Sequence, residues 1–231
     1  MPHFIQSTEG IILRVIPFQD YHQIVSIFTL GAGLIKVLHK GSRSQRKNGK
    51  SPCMPLTKVE VSYYEKKGEI FGCHELNCTD MFSNLRTDLC FLETGCDLLQ
   101  VILDSQLMGK EAPLLYNLLY IYLKKIPQTA NPWLLAASFR LKLLKHDGLI
   151  GFPFICNECG NVLHSEIYTR DSESWCAVHR PKECIEWDAT ELQVIYRLAE
   201  SQSFTEISLL DLSPILLAKI TLFFTKCLHV Y

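Results

Sequence analysis

The sequence has no apolar run long enough to cross a bilayer, a span that needs roughly 20 apolar residues in succession. Asp97, Asp104 and Lys110 interrupt the longest candidate region. The first residues, Met1 to Ile5, lack both the basic start and the apolar stretch of a secretory signal. We therefore expect a protein of the reducing cytoplasm, with no membrane partner, in which most of the 10 cysteines are free thiols.

The sequence also lacks the motifs of common catalytic sites. It has no GxSxG turn, no HExxH pair and no paired-carboxylate pattern. Zinc deaminases place a His-x-Glu ahead of a CxxC pair, and none stands in that position here. Gly31-Ala-Gly33, followed by Lys36, does not match the GxxxxGK[ST] phosphate loop. We therefore expect a binding protein and not an enzyme.

Acidic residues are missing from the interval between Asp20 and Glu60, although the net charge of the whole chain is only −1. The same interval carries seven cations: Lys36, Lys40, Arg43, Arg46, Lys47, Lys50 and Lys58. Most of them fall in a Gly- and Ser-rich segment at residues 40–50, which predicts a basic loop. Because cations displace counterions from phosphates, such a loop favours salt-sensitive binding to a polyanion. The alternative is a loop that only keeps the protein in solution.

Two pairs of residues with metal-ligand spacing stand in the second half of the chain. Cys156 and Cys159 are followed by Gly160, which suits a turn with positive φ. Cys176 and His179 repeat the spacing seventeen residues after Cys159. Two such knuckles complete the tetrahedron of sulfur and nitrogen donors that zinc accepts. Four protein ligands leave no open position for a substrate, so the spacing predicts one structural zinc ion.

Two questions about this site stay open from sequence alone. Three residues are candidates for the fourth ligand: His179 ranks first, Cys184 second and His164 third. The other possibility is that the two pairs are unrelated residues of a cysteine-rich chain, and the spacing makes this the weaker reading.

The pattern of apolar residues predicts an α+β protein with two domains. Residues 4 to about 76 contain five short β-rich runs, which predict a small closed or partly closed barrel such as the OB-fold, assigned to residues 1–79. From about residue 80, apolar residues recur at helical spacing, including helices near 112–125, near 132–147 and from Ser213-Pro214 onward. This helical domain, residues 80–231, carries the metal knuckles at about 154–186.

Aromatic residues on the predicted strands provide a possible stacking surface for bases beside the basic loop. They are Phe28, Tyr63, Tyr64 and Phe71. A barrel of this size must also fill its interior, so we expect several of these rings to point inward.

Two stretches of the sequence are specific enough to indicate a family. One runs from Gly33 to Arg43 and ends Lys-Gly-Ser-Arg, and the other is Phe139-Arg-Leu-Lys ahead of Cys156-Asn-Glu-Cys159-Gly160. With the order of the domains, they make the whole chain resemble the RecO family of bacterial DNA repair proteins. The chain departs from the family pattern in its second metal pair, which is usually CxxC, and in its pI near 6.7.

The resemblance implies an OB-fold followed by a helical domain, and a recombination mediator associated with the nucleoid. Such a protein binds single- and double-stranded DNA, anneals complementary strands and, with RecR, helps RecA replace single-stranded DNA-binding protein (SSB). It implies DNA contacts at Arg14, Lys36, Lys40, Arg43, Arg46 and Lys47, and Lys50 of the same basic loop is a further predicted contact.

The resemblance also implies a site for the acidic, apolar-ended C-terminal tail of SSB on the helical domain. Basic candidates for this site are Arg140, Lys142 and Lys145. The alternative function is a zinc-stapled adaptor whose basic loop binds acidic partner tails instead of DNA. Steep loss of DNA affinity with salt would favour the first function, and saturable binding to an acidic peptide alone would favour the second.

Overall fold

A computed structural model describes residues 4–19, 21–40, 53–66 and 68–228 of the chain. The chain forms two compact units, Met1–Pro127 and Gln128–Tyr231. The predicted limit at residues 79 and 80 coincides with the end of the last barrel strand at Asp80, but the first unit also includes the two helices that follow. None of the helices in the described ranges has the length and apolarity that a membrane span requires.

Five strands form a closed barrel in the first unit, as the sequence predicts. They are β1 (Ile5–Phe18), β2 (His22–Thr29), β3 (Gly33–His39), β4 (Thr57–Tyr64) and β5 (Ile70–Asp80). Their order around the barrel is β1-β2-β3-β5-β4, and β1 closes it. The 14 residues of β1 make this closure possible, because its first half pairs with β4 and its second half with β2.

The interior of the barrel is filled by alternate residues of the strands, as the period of two requires. The core consists of Ile12, Val25, Ile27, Ile35, Val37, Val59, Val61 and Tyr63. A bulge between Ile12 and Arg14 shifts the register of β1 against β2. Arg14 lies two positions after Ile12, so in a regular strand its side chain would share the inward face of Ile12. The bulge therefore places Arg14 on the outer face.

Two helices complete the first unit: α1 (Leu89–Ser105) and α2 (Pro113–Lys125). Asp88 caps α1 by accepting a hydrogen bond from the backbone N–H of Cys90, so the helix begins later than the predicted limit at residue 80. The ring of Tyr116 on α2 packs on Phe28 of β2, with 6.2 Å between ring centroids. One part of the barrel's outside is therefore covered.

The second unit is built around α3 (Pro132–His146), which packs on α4 (Ala189–Glu200), α5 (Phe204–Ser208) and α6 (Pro214–Leu228). Gly148 follows α3 with a positive φ, the conformation that suits a residue just after a helix C-terminus. Asp188 and Glu191 form the reciprocal capping box at the start of α4.

A three-stranded sheet lies between α3 and α4 in the chain. Its strands are β6 (Ile167–Arg170), β7 (Glu173–Trp175) and β8 (Ile185–Trp187), in the order β7-β6-β8. Trp187 is fully buried and donates a hydrogen bond of 2.8 Å to the hydroxyl of Thr169. Its ring also packs edge-on against Phe223, which fixes the sheet on α6.

Candidate metal centre and nucleic-acid interface

Four side chains from the two predicted knuckles converge in the second unit. The ligand atoms of Cys156, Cys159, Cys176 and His179 all lie within 4.8 Å of one another. The sulfur atoms of Cys156 and Cys176 are 3.8 Å apart, and the Nδ1 atom of His179 is 3.3 Å from the sulfur of Cys176. Tetrahedral ligands at a zinc–sulfur distance of about 2.3 Å lie about 3.8 Å apart. The donor set and its spacing therefore fit a metal ion of this kind.

Backbone hydrogen bonds hold each knuckle in shape. In the first knuckle, the N–H of Gly160 donates to the carbonyl of Cys156 at 2.9 Å, and Gly160 has the positive φ that its position predicts. In the second knuckle, the N–H of His179 donates to the carbonyl of Cys176 at 3.1 Å. Each turn is therefore closed by a backbone hydrogen bond of its own.

The first knuckle is also attached to β7. The N–H of Asn157 donates to the carbonyl of Ser174, and the hydroxyl of Ser174 donates to the carbonyl of Ile155. These bonds join the residues on either side of Cys156 to the strand that ends beside Cys176. The sheet therefore brings the two knuckles together.

The electrostatics of the cluster favour the thiolate form of the buried cysteine. Burial alone raises the pKa of Cys156, but backbone N–H groups of Cys159 and Cys176 donate to its sulfur and lower its pKa to about 6. The pKa of His179 is raised by its hydrogen bonds to the sulfurs of Cys156 and Cys176. Negative charge on sulfur is what a metal cation requires of its ligand.

The group of four includes the first-ranked fourth ligand. His179 belongs to it, whereas Cys184 and His164 do not. Three thiols and one imidazole form a donor set found in closed, structural zinc sites. The group can therefore hold a metal ion, and its assignment to zinc remains a prediction.

The cations predicted to contact DNA fall in two parts of the chain. Arg43, Arg46, Lys47 and Lys50 lie outside the described residues. Arg14, Lys36 and Lys40 lie on the barrel. Arg14 is the cross-strand partner of Ser26, and Ser26 is the partner of Lys36. With about 5 Å between the Cα atoms of neighbouring partners, the Cα atoms of Arg14 and Lys36 lie about 10 Å apart.

Arg14 and Lys36 share one side of three strands, which we call the β1–β3 outer face. It consists of Arg14, Ile16, Phe18, His22, Ile24, Ser26, Lys36 and Leu38, and Lys40 follows the end of β3. No carboxylate occurs among these eight residues. Arg14 donates to the side-chain oxygen of Gln100 at 3.1 Å, and the amide of Gln100 donates in turn to the carboxylate of Asp104 at 2.6 Å. This face therefore carries cations and no carboxylate of its own, and an apolar row of Ile16, Ile24 and Leu38 runs beside the cations.

Lys58, the seventh cation of the acid-free interval, has a structural role. Its ammonium pairs with the carboxylate of Glu9 at 2.9 Å and lies over the ring of Tyr120, 4.8 Å from the centroid. It thereby links β4, β1 and α2. We do not include it in the candidate interface.

The prediction of a stacking surface is wrong for two of the four aromatic residues. Phe28 is fully buried beneath α2, and Tyr63 lies in the barrel core. Phe71 packs against that core, with its ring 5.1 Å from Tyr63. Tyr64 follows the core residue Tyr63 and therefore lies on the outer side of β4, half-buried.

The three basic candidates for the SSB-tail site each contact other groups of the second unit. Arg140 is buried, with its guanidinium over the ring of Phe224. The ammonium of Lys142 donates to the carbonyl of Ser201, just after α4. Lys145 pairs with the carboxylate of Glu200 at 2.6 Å. These contacts hold α3 against its neighbours, so an acidic tail would have to displace them. The tail-binding role remains a prediction.

The fold and the Cys3His group define the class: an α+β protein with an OB-like barrel and a helical part that carries a candidate metal centre. Residues 1–82 match the family model described as "Recombination protein O N terminal", and residues 95–231 match "Recombination protein O C terminal". The chain belongs to the RecO family of DNA repair proteins.

Proteins named DNA repair protein RecO are similar to this chain over most of its length. The DNA repair protein RecO of Chlamydia muridarum is 25% identical over 207 residues, which is 89% of this chain and 88% of the relative. RecO of Chlamydia pneumoniae is 23% identical over 210 residues, 91% and 83% of the two chains. RecO of Syntrophobacter fumaroxidans is 24% identical over 169 residues, 73% and 65% of the two chains.

Proposed function

We propose that this protein binds single- and double-stranded DNA through the β1–β3 outer face and the basic segment that follows it, and anneals complementary strands. The observation that carries this proposal is the grouping of Arg14 and Lys36 on the β1–β3 outer face, which has no carboxylate of its own, with Lys40 directly after β3. Lys40 immediately precedes the segment that contains the remaining predicted cations. Face and segment together supply a positive surface for the phosphate backbone.

Annealing follows from the chemistry of this surface. Two complementary strands repel each other because each carries one negative charge per phosphate. Cations that neutralise phosphates on both strands lower this repulsion. Because these cations contact phosphates and not base edges, the base edges stay free to pair. No covalent bond changes, so the proposed activity needs no catalytic residue. We infer that the protein is not an enzyme.

Family membership supports a place for this protein in recombination repair in the cytoplasm, at the nucleoid. We propose that it acts with RecR and the C-terminal tail of SSB, so that RecA can replace SSB on single strands. We also propose that the Cys3His group holds one zinc ion. A closed set of four ligands suits a structural role, in which the ion stabilises the knuckles and β7.

Charge reversal tests the annealing function. One variant carries Lys36→Glu and Lys40→Glu, and a second carries Arg43→Glu and Arg46→Glu. A matched control reverses two exposed cations of the second unit, Lys182→Glu and Arg197→Glu. We expect each of the first two variants to lose annealing of complementary oligonucleotides while circular dichroism and thermal unfolding match the wild type.

The control distinguishes an effect of charge at the predicted DNA contacts from an effect of net charge, because all three variants lower the net charge of the protein by the same amount. Annealing that persists in both the Lys36→Glu, Lys40→Glu variant and the Arg43→Glu, Arg46→Glu variant would refute the proposal. Intact binding of a short acidic peptide, with no DNA affinity at low salt, would instead indicate the adaptor function.

A further inference from the structure

An apolar row crosses the outer side of the barrel and leads to one aromatic ring. On the β1–β3 outer face, Ile16 pairs with Ile24, and Ile24 pairs with Leu38. Leu38 is then the partner of Gly72 on β5, and Gly72 is the partner of Tyr64 on β4. We call Ile16, Ile24, Leu38 and Tyr64 the apolar strip. Ile16 is 45% exposed, and the other three residues are half-buried.

The ring of Tyr64 lies flat on the backbone of β5. A Cβ atom added to Gly72 would lie 2.2 Å from Cζ of Tyr64, and 2.5 and 2.7 Å from the two adjacent ring carbons. An atom in the ring plane beyond Cζ would be distinctly farther from those two carbons than from Cζ. The near-equal distances therefore indicate that the face of the ring covers Gly72. Only glycine leaves room for this arrangement.

A cation accompanies the ring. The ammonium of Lys66 lies over Tyr64, 5.5 Å from the ring centroid. Such a cation–π contact is weak at a partly exposed site, and a flat, polarisable group can replace the ammonium on the ring. Lys36 precedes Leu38 by two residues on the same side of β3, about 7 Å away along the strand. The strip is therefore bordered by cations near its aromatic end as well as at β1.

We propose that Tyr64, held flat by Gly72, is the base-stacking residue of the barrel for single-stranded nucleic acid. A base takes the place of the Lys66 ammonium on the ring, and the ammonium moves to a phosphate of the same strand. Ile24 and Leu38 contact the neighbouring base or sugar. This inference rests on the proposed function, because Arg14, Lys36 and Lys40 must first hold the strand.

The chemistry of the strip favours single-stranded nucleic acid over an apolar protein segment. An acidic protein tail with apolar residues could also use the cations beside the strip, but only a nucleic-acid strand presents both a phosphate and a flat base at every residue. In a duplex the base faces are already stacked on each other. Tyr64 therefore adds affinity for single strands only, in a manner tolerant of sequence.

Binding of oligothymidylate and of an abasic oligodeoxyribose phosphate of equal length tests this role by fluorescence anisotropy. The abasic strand is the matched control because it carries the same phosphates without bases. We expect Tyr64→Leu to weaken binding of oligothymidylate by about tenfold, within the range measured for loss of one stacked base, and to leave abasic binding unchanged. Tyr64→Phe, which keeps the ring, restores most of the difference.

Gly72→Ala supplies a second test, because the added methyl group must displace the ring without removing it. It should weaken binding of oligothymidylate as Tyr64→Leu does. Should Gly72→Ala fail to fold, the comparison of leucine with phenylalanine at position 64 still decides the matter.

Two results would overturn the stacking role while leaving the proposed function intact. One is wild-type binding of oligothymidylate by Tyr64→Leu, with both ligands lost in the Lys36→Glu, Lys40→Glu variant. The other is an equal loss of both ligands in Tyr64→Leu, which would assign Tyr64 to the fold and not to base contact. A wild-type protein that binds neither ligand at low salt would overturn both proposals.

Discussion

Single residues determine which donors meet at the candidate metal centre. The imidazole of His179 occupies the position that a second cysteine would take in a CxxC pair, and its Nδ1 atom lies within 3.7 Å of the sulfur of Cys156. An imidazole nitrogen and a thiolate both bind zinc at tetrahedral sites. The substitution therefore preserves the ligand count.

We expect His179→Ala to lower the metal content from about one ion per chain to near zero, because three ligands bind zinc less tightly than four. His179→Cys should keep about one ion, since it rebuilds the four-thiolate site. Inductively coupled plasma mass spectrometry on the purified proteins measures both. Cys184→Ala is the control and should retain the ion. Loss of metal in this control, with retention in His179→Ala, would show that the fourth ligand is misassigned.

The barrel requires glycine at position 33, because there is no room for a side chain there. Its φ is +63°, and an added Cβ would lie 1.9 Å from the carbonyl oxygen of Lys110. Gly109 has a similar φ of +72°, but no atom lies within 4 Å of the corresponding position. The two glycines therefore separate backbone strain from steric contact.

Gly109→Ala should lower the free energy of unfolding by about 1 kcal/mol, the cost of a left-handed conformation for alanine. Gly33→Ala should cost distinctly more, because the carbonyl of Lys110 must also move. Urea denaturation followed by circular dichroism gives both values. Equal costs would mean that the close approach of the two backbones does not constrain the first unit.

At the scale of helices and strands, the N-terminus of α4 shows how a short motif fixes an element. Asp188 accepts a hydrogen bond from the N–H of Glu191, and the carboxylate of Glu191 accepts one from the N–H of Asp188. Glu191 also pairs with Lys219 of α6. The cap therefore joins two helices as well as beginning one.

We expect Asp188→Ala to destabilise the protein by about 1 kcal/mol, the usual cost of losing an N-cap. Glu191→Ala should cost more, because it removes the partly buried ion pair with Lys219 along with its capping bond. Gln193→Ala, on the exposed side of α4, is the control and should be close to neutral. Thermal unfolding measures all three. A Glu191→Ala protein as stable as the control would contradict this account of the cap.

The sequence predicts the elements that have a clear period or a capping motif. The five barrel strands and the helix predicted from Ser213-Pro214 onward are confirmed. Strand β8 and helix α5 were not predicted, because elements of three and five residues are too short to display a period. The bulge before Arg14 was also missed, since it depends on pairing with β2 and not on local sequence.

Part of the candidate site can also be predicted, because it depends on a short-range pattern in the sequence. The metal ligands have a fixed short-range spacing, so their types and order indicate the cluster directly. Whether an aromatic side chain points inward or outward depends on strand register and on α2, which buries Phe28 through Tyr116. Gly72 beneath Tyr64 is a tertiary contact without a signal in either local sequence.

At the scale of the whole molecule, the candidate metal and nucleic-acid sites belong to different compact units. We expect removal of metal with a chelator to lower the thermal stability of the protein, because the knuckles and β7 lose their common anchor. DNA binding by the barrel should persist under the same conditions at a temperature well below unfolding. Differential scanning calorimetry and oligonucleotide anisotropy on one sample test both statements. Abolished DNA binding in a protein that remains folded would contradict the separation of roles.

The most direct test of the central claim is the salt dependence of oligothymidylate binding. On a single strand, each neutralised phosphate contributes about 0.7 to the slope of log K against log salt concentration. The variant Lys36→Gln, Lys40→Gln should therefore have a slope shallower than the wild type by about 1.4. The control Lys182→Gln, Arg197→Gln should keep the wild-type slope. Equal slopes in the wild type and the barrel variant would show that the β1–β3 outer face does not contact the phosphates.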